Sequence, residues 1–436
     1  MKLTVGNARA ATLTVLGPRP SAFSLLPRIP APPLGAARAR IMTGWSSASG
    51  GERYSECWRC VGSVGPVWWA IRLYRDFDLF LLMETMQHSE ATLRTALISN
   101  HKDVIDLYQK FSPRVKHLLE EAFQPNSSLF KPIVLHSKSD WIHSHPEPKQ
   151  DFYAFYSSPH RKSPVPGKNI IYIQTIGSFG DSQTATETYI HWLKEYCESF
   201  FYGLKIKFLD PVSVSQIGCV FRVNTYSHNL QIHTGSILKY LQKKKPKDAF
   251  CIVGITMIDL YPEESWNFVF GQASLTEGMG VFSFARYDDD FYSTNYKGKL
   301  KKKKHLAPDD YSVFEGYYTP PIASKLLLRS CKTLTHEIGH IFGMHHCQWL
   351  QCVMQGSNHL EESDRRPIDL CPICLRKLQY AINFDIQERY KAMLRWIEDD
   401  SDPEFLVGTV LVSHKPMDAF KDWKEWLLRC LQVLEE

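Results

Sequence analysis

The run His336-Glu-Ile-Gly-His340 constrains this chain more than any other feature, because it asks for a helix, a metal and a buried site together. Residues four apart share a helical face, so His336 and His340 can offer their imidazoles to one ion. Glu337 starts one position on, displaced by about 100° around the helix. Its carboxylate then lies beside the ion, where it can hold water instead of acting as a ligand. The surrounding LLLRSCKTLTHEIGHIF predicts one helix from Leu326 to Phe342, with Thr335 just before the motif. The pattern extends through Gly343 and His346 to HExxHxxGxxH, which arises by chance on the order of once in ten thousand chains of this length. Gly343 can take a positive φ at low steric cost, ending the helix and turning the chain back so that His346 supplies a third nitrogen. Three histidines leave a coordination position open, which a catalytic zinc requires and a structural one does not. Zinc lowers the pKa of water from 15.7 towards ~7. Glu337 would accept the released proton during attack on a peptide carbonyl and deliver it to the leaving amine. The bland alternative is a pair of satisfied core histidines. His345 competes with His346 for the third position, and the spacing selects His346.

A second constellation follows at once. Cys347 and Cys352 enclose four residues, and Cys371-Pro-Ile-Cys374 begins nineteen positions later. CxxxxC followed by CxxC is the spacing of a closed four-thiolate zinc site, which is structural. A redox pair stays open as the alternative, whereas haem attachment would need His at position 375, which is Leu. Met354 lies on the return loop and could floor the catalytic metal, or simply fill core. The cofactor expectation is therefore two Zn²⁺ per chain.

Charge narrows the partners. The formal net charge is +5, yet residues 1–83 hold ten Lys/Arg against four Asp/Glu, leaving 41 basic and 42 acidic residues beyond. The body is near neutral, so no nucleic-acid surface is expected, and Lys301 to Lys304 reads as a solvated loop. No apolar run is long enough to span a bilayer. Eleven cysteines do not read as a secreted disulfide framework, and the clustered thiolates suit a reducing compartment, the cytosol or nucleus. The first fifty residues contain no acid, so a mitochondrial transit peptide is the alternative, although six prolines between 18 and 33 interrupt any amphipathic helix. Residues 1–85 are expected to be a disordered or alternative leader, with a possible shorter product from Met83 or Met86. The lone Cys57-Trp-Arg-Cys60 pair is weak evidence for metal or redox work.

From residue 86 the pattern is α/β. Ser89 to Ser112 looks helical, and Pro125 to Pro148 is a polar connector. Ile170 to Thr175, Leu204 to Leu209 and Cys219 to Val223 read as strands, with a helix from Thr184 to Phe201. Asn229 to Gln242 predicts a helix and Phe250 to Leu260 the central strand. Trp266 to Ala273 and Gly280 to Ala285 suggest a hairpin about Gly278. Alternating strands and helices indicate a mixed, largely parallel sheet with helices packed on it.

HExxHxxGxxH with a later Met is the metzincin signature. The Cys directly after the third His, the CxxxxCxM run and the CxxC resemble the archaemetzincin family, as do TMIDLYP, WNFVFGQASLTEGMGVFSFARY and MQGSNHLEESDRRP. The resemblance covers roughly residues 86–436. It implies a twisted mixed sheet over the zinc helix with a smaller C-terminal subdomain, a peptidase domain over 86–385 and a helical tail over 386–436. It further implies metallopeptidase activity, aminopeptidase-like on short peptides, with His336, His340 and His346 as catalytic ligands and Glu337 as base. Met354 takes the Met-turn, and Cys347, Cys352, Cys371 and Cys374 the structural zinc. Substrate would add as an antiparallel strand to an edge in the Gln272 to Arg286 region. Asp288, Asp289 and Asp290 are candidates for holding a substrate amine. Peptides are the expected partners of a monomer. The rival readings are a catalytically weak, zinc-stabilised protein-binding module and a zinc-stabilised nucleic-acid binder.

Overall fold

The computed structural model describes residues 12–16, 84–179, 183–274, 276–300, 307, 309–398 and 415–436. The readings of Cys57 and Cys60, of Met83, of Lys301 to Lys304 and of most of the leader lie outside these residues. Within the leader, TLTVL forms strand β1 (Thr12–Leu16). Short β2 (Glu84–Thr85) pairs with β3 (Val134–Leu135), and α1 (Glu90–Ile98), α2 (Lys102–Gln109) and α3 (Pro113–Glu120) lie between them. The single helix expected over Ser89 to Ser112 is broken, because Ser99 takes a φ of 87° and its hydroxyl accepts the His101 N–H. The connector expected over Pro125 to Pro148 also carries structure, namely β3 and α4 (Trp141–Ser144), and α5 (Phe152–Tyr156) follows it.

The sheet begins at β4 (Ile170–Ile176), whose seven residues are all buried, as a strand covered on both faces requires. Next come α6 (Gln183–Phe200), β5 (Lys205–Val212), α7 (Val214–Ile217), β6 (Phe221–Val223), β7 (Leu230–His233) and α8 (Thr234–Lys244). Then follow the fully buried β8 (Ala249–Thr256), β9 (Asp259–Tyr261), β10 (Val269–Ser274) and β11 (Met279–Ser283). The order is β5-β4-β8-β11-β10-β9-β7-β6, parallel from β5 to β11 and antiparallel at β10. β8 stands inside, and β10 and β11 form the expected hairpin. Two expectations fail here. Asn229 to Gln242 is not one helix, because the buried Gln231 amide bonds Asp259 Oδ2 at 2.8 Å and the Asn267 carbonyl at 2.9 Å, holding β7 beside β9. Nor is the substrate edge open: β11 is interior, and the outer side of β10 pairs with β1 from Ser274 to Val269 and with β9 at Val269.

Alternation along the strands divides the core. Ile171, Ile173, Cys251, Val253 and Ile255 face one layer, while Ile170, Tyr172 and Ile252 face the other with Ile237 and Leu241 of α8. The first layer is filled by α9 (Ser324–Ile341), buried almost all round. Each of its large apolar side chains contributes about 1.5–3 kcal/mol by burial. Below it lie α10 (Leu360–Arg365), α11 (Pro372–Ile382), α12 (Ile386–Glu398) and α13 (Lys421–Glu435). Tyr390, Trp396, Trp423 and Leu427 of the last two belong to the same buried cluster as Leu334, Met354 and Cys374, so these tail helices are core elements. Among the described residues no helix is long and apolar enough to cross a membrane.

Candidate metal centre and active site

Helix α9 carries His336 and His340 four residues apart, and their Nε2 atoms face each other at 3.1 Å. Each Nδ1 is committed elsewhere: His336 to the Val353 carbonyl at 2.8 Å and His340 to the Met344 carbonyl at 2.7 Å. With Nδ1–H donating, both Nε2 atoms keep lone pairs. Burial, reinforced by the neighbouring histidines and Arg366, holds both imidazoles well below the ordinary histidine range and therefore neutral. Two lone pairs at this separation repel unless a cation lies between them.

Gly343 takes a φ of 94° at the end of α9, and its N–H bonds the His340 carbonyl at 2.8 Å. The chain turns there, and the His346 ring arrives 4.8 Å from His340 and 5.4 Å from His336, centroid to centroid. The three ligand atoms lie within 4.8 Å of one another. His345 is exposed and outside this group. The three nitrogens fit a zinc ion, which a protein holds through imidazole at about 2.0–2.1 Å.

Glu337 is buried beside them, and burial pushes its carboxyl up to about 8 against the opposing charge of Arg366. A small cavity joins Glu337 and His336 to Phe270, Tyr287 and Arg366. The Arg366 guanidinium lies 3.2 Å from His336 Nδ1, and it donates to the Gln355 carbonyl and to Ser363 Oγ.

The four predicted cysteines also converge, all buried and none disulfide-bonded, with Cys347 Sγ 3.6 Å from Cys371 Sγ. Tetrahedral ligands on zinc at ~2.3 Å would lie about 3.8 Å apart, so the thiols fit that ion as well. Cys352 Sγ accepts the N–H groups of Met354 and Cys371 at 3.4 and 3.3 Å. Burial works to raise the Cys347 thiol, but hydrogen bonds from the other three cysteines hold it well below its ordinary value. Cys371 is the N-cap residue of α11, which sets Cys374 in the helix's first turn.

The loop between the two centres serves both. Cys347 N–H bonds the Met354 carbonyl at 2.8 Å, while Val353 accepts from His336. Met354 lies under the helix: a Cβ added at Gly339 would be 2.6 Å from its sulfur.

Several functional-site residues were not in the expected set, because they come from the supposed connector or, for Gln150, from just beyond it. Glu147 takes the Nδ1 of His346 at 3.0 Å from both carboxylate oxygens, and Trp141 meets the same ring edge-on at 4.9 Å. Gln150 binds the Gly343 carbonyl and the His345 N–H at 3.0 Å. Burial works to raise the Glu147 carboxyl, but the bond and charge of His346 hold it below its ordinary value. A cavity of about 420 Å³ opens here, lined by Leu135, Trp141, Glu147, His346, Gln355 and Arg366 among others. Of the aspartates expected to bind an amine, Asp289 is tied to Arg329 at 2.7 Å and Lys325 at 3.2 Å, Asp290 is exposed, and half-buried Asp288 accepts the Asp290 N–H at 3.0 Å.

Residues 274–380 match the family described as Peptidase family M54. The chain is 61% identical over 361 residues to archaemetzincin-2 of Homo sapiens, an alignment covering 81% of this chain and 100% of that protein. It is 35% identical over 309 residues to archaemetzincin-1 of Homo sapiens, covering 70% of this chain and 62% of that one. The solved archaemetzincin of Methanopyrus kandleri aligns with 51% of this chain and 99% of its own at 24% identity, with a TM-score of 0.33.

Proposed function

The chain belongs to the archaemetzincin family of zinc metallopeptidases, and from that premise we propose that it hydrolyses peptide bonds at the three-histidine centre, aminopeptidase-like and on short peptides. In this reading His336, His340 and His346 hold a catalytic zinc, while Cys347, Cys352, Cys371 and Cys374 hold a second, structural one. A zinc ion at the histidines supplies Lewis acidity, so that water ionises near neutral pH. Glu337 takes the proton as the water oxygen attacks the substrate carbonyl carbon. It then returns the proton to the amine nitrogen as the C–N bond breaks, leaving a carboxylic acid and a free amine. Arg366 and the histidine bonds to Val353 and Met344 hold this geometry fixed while the proton moves. The observation that carries the proposal is the convergence of three imidazoles, two with Nδ1 bound to backbone carbonyls, beside the buried Glu337.

The cavity of about 420 Å³ beside His346 suits a few residues of peptide, which supports short substrates. The four-thiolate centre is the argument for a reducing compartment, cytosol or nucleus. Matched peptides with free and acetylated N-termini test the mode of cleavage. Aminopeptidase action predicts release of the first residue only from the free form, whereas cleavage of both at internal bonds would overturn it.

A further inference from the structure

The three histidines are not supported alike. His336 and His340 stand on one rigid helix and spend their Nδ1–H groups on the carbonyls of Val353 and Met344. His346 stands beyond Gly343, on a loop with no helix to aim it. Its Nδ1 instead meets a carboxylate from 199 residues earlier in the chain, with Oε1 and Oε2 of Glu147 both at 3.0 Å. The carboxylate is itself held, since Trp141 Nε1 donates to Oε1 at 3.1 Å while the Trp141 ring packs edge-on against His346. The Glu147 carbonyl takes the Gln348 amide at 2.8 Å, and a Cβ on Gly356 would be 2.3 Å from the Trp141 ring. The segment around residues 141–147 is thus fastened to both ends of the loop that carries His346.

An ionised acceptor forms a stronger and more directional bond to an imidazole N–H than a carbonyl does. It also fixes the tautomer, because a proton kept on Nδ1 leaves the Nε2 lone pair for a metal. We propose that Glu147 is the positioning residue of the third metal ligand, holding His346 in the Nδ1–H tautomer and aiming its Nε2 at the site formed by His336 and His340. The proposal rests on the zinc reading above and adds a residue to it.

The test measures zinc retention by the full-length protein against a graded chelator, for wild type, Glu147→Gln, Glu147→Ala and Trp141→Phe. The expected result is that one of the two zincs leaves both Glu147 variants at roughly 10–100-fold lower chelator concentration, while the other is retained as in wild type. Glu147→Ala should be the more severe. Trp141→Phe, which keeps the carboxylate but removes the N–H that holds it, should fall between wild type and Glu147→Gln. Nitrogen-15 spectra of the histidines in Glu147→Gln should show the His346 Nδ1–H signal shifted or broadened while those of His336 and His340 persist. Unchanged zinc retention in both Glu147 variants would overturn the proposal. Equal loss of both zincs with a lowered melting temperature would also overturn it, because Glu147 would then act through folding alone. A wild-type protein lacking the histidine-bound zinc would instead defeat the underlying metal reading, so the two failures are distinguishable.

Discussion

Substituting Gly343 by Ala isolates the turn that delivers the third ligand. Its φ of 94° costs an L-residue about 1–2 kcal/mol. The new Cβ would also lie 3.0 Å from Arg161 Cα, 3.4 Å from Arg161 N and 3.4 Å from the His160 carbonyl oxygen. These are backbone atoms that cannot swing aside, so overpacking adds about 1–3 kcal/mol. Together the loss is about 2–5 kcal/mol. With an unfolding entropy of ~2.1 cal/mol/K per residue over the roughly 330 described residues, the protein loses about 1.4 °C of melting temperature per kcal/mol, hence ~3–7 °C here. Gly316 is the control: its φ is 65°, but a Cβ there would meet nothing within 4 Å. Gly316→Ala should therefore fall by only ~1.5–3 °C. The assay is a thermal melt of the three proteins, with zinc content measured beside it. Gly343→Ala melting no lower than Gly316→Ala, with full zinc, would refute the claim that this turn is sterically closed and places His346.

Other consequences are open to measurement. Cys374→Ser should release the thiolate-bound zinc and slow cleavage at least 10-fold, because the loop from Cys347 to Met354 also supports His336 and His346; full activity with one zinc would contradict that coupling. Lys332 is buried, with Nζ on the carbonyls of Ser363 and Asp364, and burial depresses its pKa from 10.5 to about 7. The folded state therefore binds fewer protons than the unfolded state between these values. Lys332 contributes most favourably above pH 10.5, and that contribution is lost as pH falls through 7. Lys332→Met should raise the melting temperature more at pH 7 than at pH 10; an equal effect at both would refute the shifted titration.

What was legible in the sequence was local. His336, Glu337, His340 and His346 share one helix and its turn, so spacing alone brings them together, and Gly343 has the positive φ the turn demands. The cysteine cluster was legible for the same reason, and so was the hairpin of β10 and β11. The failures are non-local. β7 read as helix because its strand character comes from Gln231 bonding Asp259 and Asn267, which no window around residue 231 contains. The polar connector hid Glu147, and Gln150 lies just past it; the partners of both are almost 200 residues away. Periodicity also could not show that β1 covers the outer side of β10, nor that α12 and α13 complete the core beneath the cysteines.

The central claim is that a zinc centre built from His336, His340 and His346 works through Glu337 as its base. Metal analysis and peptide cleavage, measured together on wild type and Glu337→Ala, test it most directly. Two zincs per chain in both proteins, with cleavage in wild type alone, is the predicted result. Cleavage that survives the substitution would contradict the mechanism, and fewer than two zincs in wild type would contradict the assignment of the sites.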